Sequence, residues 1–124
     1  MSTPDLISTS FSLSGAADKT FYVAHGQAGE WKLQGVSIVS SAAVTGGSNK
    51  FELAVTQGSD TVCTTYATAT DALTEGTVAA LTMTATAGDA AEFGATDSVK
   101  FVYNQTGTTT LDLHVVCKWQ KARV

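Results

Sequence analysis

The chain has 124 residues, a formal net charge of −4 at pH 7 and only 15% charged side chains. This length suffices for one domain with its own hydrophobic core but is too short for two. With a pI near 4.8, the chain lacks the clustered Lys and Arg that nucleic-acid binding requires, so no nucleic-acid partner is expected.

The N-terminal segment has neither a basic stretch nor an apolar run, and no part of the chain contains the roughly 18 apolar residues of a membrane span. We therefore expect a protein made in the cytoplasm without a signal peptide, and no membrane partner. Residues 1–10 are predicted to form an N-terminal arm, followed by one domain over residues 11–124.

Eight segments of alternating apolar and polar side chains follow one another at short spacing, which predicts eight strands. They lie at residues 7–13, 20–25, 31–40, 50–56, 61–68, 78–86, 98–104 and 110–119. The Thr-rich composition and the lack of an amphipathic helix favour an all-β fold, a two-sheet antiparallel β-sandwich that is jelly-roll-like. In the third strand the alternation changes phase near Gly35, which predicts a β-bulge there.

The last two strands are predicted to form one long hairpin whose turn lies at residues 105–109. Its apolar burial does not offset the entropy lost in ordering it, so the hairpin requires a second sheet. Residues 46–50 are predicted to be another hairpin turn, since they join two strands rather than opening a helix. The core side chains of the final strand are Leu111, Leu113, Val115, Cys117 and Trp119.

No motif of the common nucleotide-binding, hydrolase, metalloprotease or thiol-redox classes occurs, so no catalytic residue, cofactor or metal ligand is assigned. His25 and His114 are the only histidines, and His114 is expected on the solvent-exposed face of its strand. Asp89, Glu92 and Asp97 form an acidic loop that lacks the dense ligand spacing of a dedicated calcium site, and calcium binding there is left open.

Cys63 and Cys117 are too few for a disulfide framework, and free cysteines usually behave as small buried hydrophobic residues. Whether the two pair is left open, because pairing depends on their Cα separation.

The sequence Phe-Val-Tyr-Asn-Gln-Thr-Gly-Thr-Thr-Thr-Leu-Asp-Leu-His-Val-Val at residues 101–116 lies in a Thr-, Ala- and Gly-rich β domain without catalytic motifs. In this composition and closing pattern, the chain resembles structural proteins of tailed-bacteriophage particles, in particular capsid decoration (cement) proteins. The resemblance implies a non-enzymatic β-sandwich, a homotrimer on the capsid surface of the virion, that clamps the lattice of the major capsid protein. It also implies lattice contacts by the arm, through Ser2, Thr3, Pro4, Asp5, Leu6 and Ile7.

Two alternatives belong to other functional classes. The first is a carbohydrate-binding or adhesion module of a phage head or tail fibre. The second is a small enzyme that uses Asp112 or Glu52 as an acid or base. A sugar-binding surface would need exposed aromatic rings, although aromatic side chains in a chain this poor in Leu and Ile are expected in the core. The rings considered are Tyr22, Tyr66, Trp31 and Trp119.

Overall fold

Two antiparallel sheets pack against each other in the computed structural model, which describes residues 6–15, 18–84, 91–107 and 111–121. The first sheet contains, in spatial order, β1 (Leu6–Gly15), β9 (Leu111–Lys121) and β3 (Trp31–Ser40), with the short strands β6 (Ala79–Ala80) and β7 (Glu92–Phe93) both paired to β3. The second contains β2 (Lys19–Val23), β8 (Val99–Thr106), β4 (Lys50–Gln57) and β5 (Asp60–Ala67). The predicted all-β sandwich is confirmed.

The strand pairing follows the order of a jelly roll. β1 pairs with β9, β2 with β8, β3 with β6 and β4 with β5, so the chain resembles one long hairpin whose two arms run side by side. Additional pairing of β9 with β3 and of β8 with β4 rolls this hairpin into two four-stranded layers, with β7 as a short addition to the first. A double-sheet jelly roll is one of the arrangements by which antiparallel folds limit exposed sheet edges.

The predicted closing hairpin is wrong. β8 and β9 follow each other in the chain but lie in different sheets, and each pairs with strands from the first half of the sequence. The alternation correctly identified one buried face on each strand, and the five core side chains predicted for β9 are all buried. A buried face does not specify which strand lies alongside, because a strand has the same pattern whether its neighbour is close or distant in sequence.

The predicted hairpin turn at residues 46–50 is wrong for the same reason, since β3 and β4 also lie in different sheets. Gly46 adopts a φ of +87°, and a side chain at this position would collide with the backbone of Thr68 and Ala69. Gly46 therefore allows the chain to cross from one sheet to the other against a neighbouring segment.

The predicted bulge in β3 is confirmed. Leu33 lies opposite Trp119 and Gly35 lies opposite Lys118, so Gln34 is the extra residue on β3. Trp31 and Leu33 before the bulge are buried, and Val36 and Ile38 after it are buried as well. The extra residue thus keeps both halves of the strand facing the core.

The predicted strand at residues 78–86 is divided between the two sheets. Ala79 and Ala80 pair with β3, whereas Met83 forms a bridge with Cys63 on β5. The burial alternates as expected from Leu81 to Thr84, but no regular strand continues through these residues, and residues 85 and 86 lie outside those described. The segment closes one side of the sandwich by joining the edge of β3 to the edge of β5.

The predicted arm and the sandwich overlap. Leu6 to Ser10, placed in the arm by sequence, form the first half of β1 and pair with β9. Only residues 1–5 of the predicted arm precede the first strand, and they lie outside the described residues.

Among the described residues, there is no helix that would span a membrane.

Candidate functional site

The residues considered for calcium do not form a metal site in the part of the chain that is described. Glu92 lies in β7, and the Asp97 carboxylate accepts a hydrogen bond from the Gly94 N–H at 2.8 Å. Asp89 lies outside the described residues. Across residues 6–15, 18–84, 91–107 and 111–121, no group of three or more His, Cys, Asp or Glu side chains is arranged to hold a metal ion.

His25 is buried, and hydrogen bonds to the backbone hold its side chain in place. Its Nδ1 accepts a hydrogen bond from the Gln27 N–H at 3.0 Å, so Nε2 carries the proton and donates to the Phe93 and Gly94 carbonyl oxygens at 3.0 and 2.9 Å. The ring also lies 5.4 Å from the ring of Trp119 in an edge-on arrangement. With both nitrogens satisfied by backbone groups, the imidazole joins the segment after β2 to the end of β7 and the residue that follows it.

His114 is exposed on β9, as predicted. Its Nδ1 lies 3.0 Å from the Ser12 hydroxyl on β1. Asp112 is exposed on the same strand, and its backbone N–H donates to the Ser41 hydroxyl at 2.8 Å. Glu52 lies on β4 of the other sheet, so the fold does not bring the two carboxylates considered for catalysis together.

Both cysteines are free and buried in the core. Burial raises the pKa of the Cys63 and Cys117 thiols to about 12, and the proximity of Cys63 adds to the shift at Cys117. The Cys63 thiol also lies 3.4 Å from the Met83 sulfur. A neutral buried thiol is a poor nucleophile, so these cysteines contribute packing rather than reactivity.

Most of the aromatic rings considered for sugar binding are in the core. Trp31 donates its indole N–H to the Ala28 carbonyl at 3.1 Å, and Trp119 donates to the Thr9 hydroxyl at 2.9 Å. Both tryptophans and Tyr66 are buried, whereas Tyr22 is 63% exposed. Of these four rings, Tyr22 alone is positioned to stack on a ligand.

Of the predicted partner-binding residues, four precede β1 and two lie at its start. Ser2, Thr3, Pro4 and Asp5 lie outside the described residues. Leu6 is 67% exposed and Ile7 is half-buried, and they pair with Gln120 and Trp119 at the end of β9. Leu6 therefore presents an apolar side chain to solvent at one end of the first sheet.

A surface groove lies on the side of the sandwich opposite to the one that residues 79–84 close. It is a groove of about 630 Å³ between the edges of β1 and β2. Phe11 on β1 and Phe21 on β2 meet across it with ring centroids 4.4 Å apart, and both pack on Phe101 at 5.3 Å. We call this surface the open side; it is lined by Phe11, Ser12, Leu13, Ser14, Lys19, Thr20, Phe21, Tyr22 and Val23.

The open side is not apparent from the sequence. Its lining residues come from two strands that were correctly predicted, but their position on the outer edges depends on long-range pairing. The only local signal is the segment Phe21–Tyr22, in which neighbouring aromatic residues face opposite sides of a short strand.

No family model matches the chain, and the comparisons with curated proteins and solved structures likewise found no match.

Proposed function

We propose that the chain is a non-enzymatic structural protein that binds the outer surface of a tailed-phage capsid and stabilises the lattice of the major capsid protein. The proposal rests on the resemblance of the sequence to capsid decoration proteins. The observation that carries it furthest is the hydroxyl-rich exterior of both sheets. Ser8, Ser10, Ser12 and Ser14 on β1, and Thr61, Thr64 and Thr65 on β5, are all exposed.

Short hydroxyl side chains suit a broad contact with a protein lattice. They lose little conformational entropy on binding, unlike Lys, Glu or Gln, and they hydrogen-bond either as donors or as acceptors. The contact made by each copy is weak, but binding is reinforced where several contacts are made at once on a repeating surface.

The fold alone does not distinguish between the candidate functions. Double-sheet jelly rolls occur in viral capsid and lectin domains and in cupins, so the function depends on the surface that each protein carries. Carbohydrate binding remains the second candidate, but it has only Tyr22 among the rings first considered for it.

The experiment that tests the proposal is cosedimentation of the purified protein with expanded capsids of the tailed phage that encodes it, assembled without this chain. We expect saturable binding. We also expect Leu6→Ser to weaken binding, because Leu6 is the exposed apolar residue in the predicted contact segment, whereas Val78→Ser should not. Val78 is a matched control because it is 64% exposed, compared with 67% for Leu6.

Absence of saturable binding to expanded capsids would contradict the capsid proposal. Equal loss of binding in the two variants would instead show that residue 6 does not make a specific contact with the capsid. Binding to immobilised glycans that is lost in Tyr22→Ser would favour the carbohydrate-binding alternative.

A further inference from the structure

The sheet edges on the two sides of the sandwich differ in whether further backbone pairs with them. On one side, the Leu81 N–H donates to the Val36 carbonyl of β3, and the Thr64 N–H of β5 donates to the Thr82 carbonyl. The backbone at residues 79–84 thus caps the edges of both sheets. On the open side, β1 and β2 are the terminal strands of their sheets, and within the described residues no further strand pairs with either.

β1 has none of the features that usually prevent an edge strand from pairing with another chain. It contains no charged residue and no proline, and its ten residues pair with β9 without a register shift, from Leu6 opposite Gln120 to Gly15 opposite Leu111. Exposed edges are normally protected by lysine, proline, bulges or short length. A long, regular and uncharged edge therefore favours the addition of a strand.

The groove beside this edge is apolar. Phe11 and Phe21 are only half-buried, although both contact the core through Phe101. Tyr22 is among the most exposed large apolar side chains of the described residues. Among the described residues that line the groove, Lys19 at one end of β2 is the only charged one.

We propose that the open side joins two copies of this chain about a two-fold axis, with β1 of one copy antiparallel to β1 of the other. A two-fold axis perpendicular to the strands makes any strand antiparallel to its own copy, so an uncharged edge is self-complementary. The same rotation places the two Lys19 side chains at opposite ends of the contact. This proposal does not depend on the proposed capsid function, and it differs from the homotrimer that the resemblance implies.

The area is sufficient for a dimer. Ten residues at about 3.4 Å each give a face about 34 Å long, and two sheets about 10 Å apart with their side chains give a width of about 20 Å. The contact would bury roughly 500–700 Å² on each copy. The total of roughly 1,000–1,400 Å² meets the threshold of about 1,000 Å² for a specific interface.

The register is also restricted. The side chains of β1 that face the core, including Phe11 and Leu13, must face the same side of the joined sheet in both copies. This is met only when the residue at the axis lies opposite the same residue of the other copy. For a strand of ten residues that begins at Leu6, the residue nearest the centre is Ser10 or Phe11. A charge introduced at position 10 would therefore lie directly beside, or diagonally across from, its own copy.

The test is the mass of the purified protein in solution, measured by sedimentation equilibrium over a range of concentrations. We expect a reversible dimer. Tyr22→Ser should raise its dissociation constant about tenfold, because Tyr22 is the exposed aromatic residue that lines the groove and aromatic side chains in interfaces commonly contribute over 1 kcal/mol. The matched control is Val78→Ser, which removes an apolar side chain of the same exposure elsewhere and should leave the constant unchanged.

A second pair of variants tests the strand contact itself. Ser10→Lys should raise the dissociation constant of the dimer several-fold because it brings two ammonium groups close together at the axis, whereas Thr65→Lys on β5 should leave it unchanged. Circular dichroism and urea unfolding of each variant establish that it is folded. A monomer at every concentration would overturn the proposal, as would a homotrimer, a dissociation constant that Ser10→Lys leaves unchanged, or an equal effect of Thr65→Lys.

Discussion

At the scale of single residues, the core is characterised by the way its polar groups are satisfied. Every buried side-chain nitrogen and oxygen of the described residues has a hydrogen-bond partner. His25 makes three of these hydrogen bonds, and it links backbone groups from two distant segments. Because its carbonyl partners are 68 and 69 residues further along the chain, its role was not predictable from local sequence.

We expect His25→Phe to lower the free energy of unfolding by about 3 kcal/mol, because the Gln27 N–H and two carbonyls lose their buried partner. The measurement is urea unfolding followed by tryptophan fluorescence. His114→Phe is the control, since it removes one exposed hydrogen bond and should change stability by about 0.5 kcal/mol or less. Similar effects of the two substitutions would contradict the structural role of His25.

The two buried thiols predict a loss of stability in alkaline solution. In the folded state burial raises the pKa of both thiols to about 12, whereas the pKa of a thiol in an unfolded chain is about 8.5. The unfolded chain therefore loses protons first as the pH rises. The stabilisation is complete below pH about 8.5 and decreases as the pH rises towards about 12.

The measurement is the urea midpoint between pH 7 and pH 11 for the native chain and for Cys63→Ala/Cys117→Ala. The double variant will be less stable at every pH because it loses buried side-chain volume, but its midpoint should fall less steeply with pH. Identical slopes would show that the thiols do not contribute to the pH dependence.

At the scale of strands and turns, the sequence predicted local features better than connections. Alternation correctly located the buried faces of β4, β8 and β9, and the phase change near Gly35 correctly located the bulge. Pairing was mispredicted where neighbouring strands enter different sheets. The turn at Gly58 joins β4 to β5, which are neighbours within one sheet, whereas the similar glycine-containing segment at Gly46 joins two sheets.

Gly46 and Gly58 form a matched pair for a stability test. Both have a positive φ, of +87° and +61° respectively, but a Cβ at Gly46 would lie 2.9 Å from the Ala69 Cα, whereas nothing lies within 4 Å at Gly58. Gly58→Ala should therefore cost about 1–2 kcal/mol for backbone strain alone. Gly46→Ala should cost about 3 kcal/mol or more, because the backbone must also shift.

Thermal and urea unfolding of both variants provide the comparison. A smaller effect at Gly46 than at Gly58 would mean that the crossing between sheets is not packed against residues 68 and 69 as described.

At the scale of the whole molecule, the jelly roll has one side capped by its own chain and one side open. The sequence predicted the two layers because each strand has a single apolar face, which must be covered. It did not predict the open side, since the terminal strands of a sheet have the same local pattern as central ones. The proposed capsid role likewise depends on the exterior, where the hydroxyl-rich strands and the exposed Leu6 lie.

The central claim, that the protein reinforces a capsid, is tested most directly by heating. DNA-filled capsids of the encoding phage, with and without the bound protein, would be heated in the presence of a dye that fluoresces on released DNA. A bound protein that clamps the lattice adds contacts that must break before the shell opens, and it predicts release at a higher temperature when the protein is present. Release at the same temperature, with binding verified in the same samples, would contradict the claim.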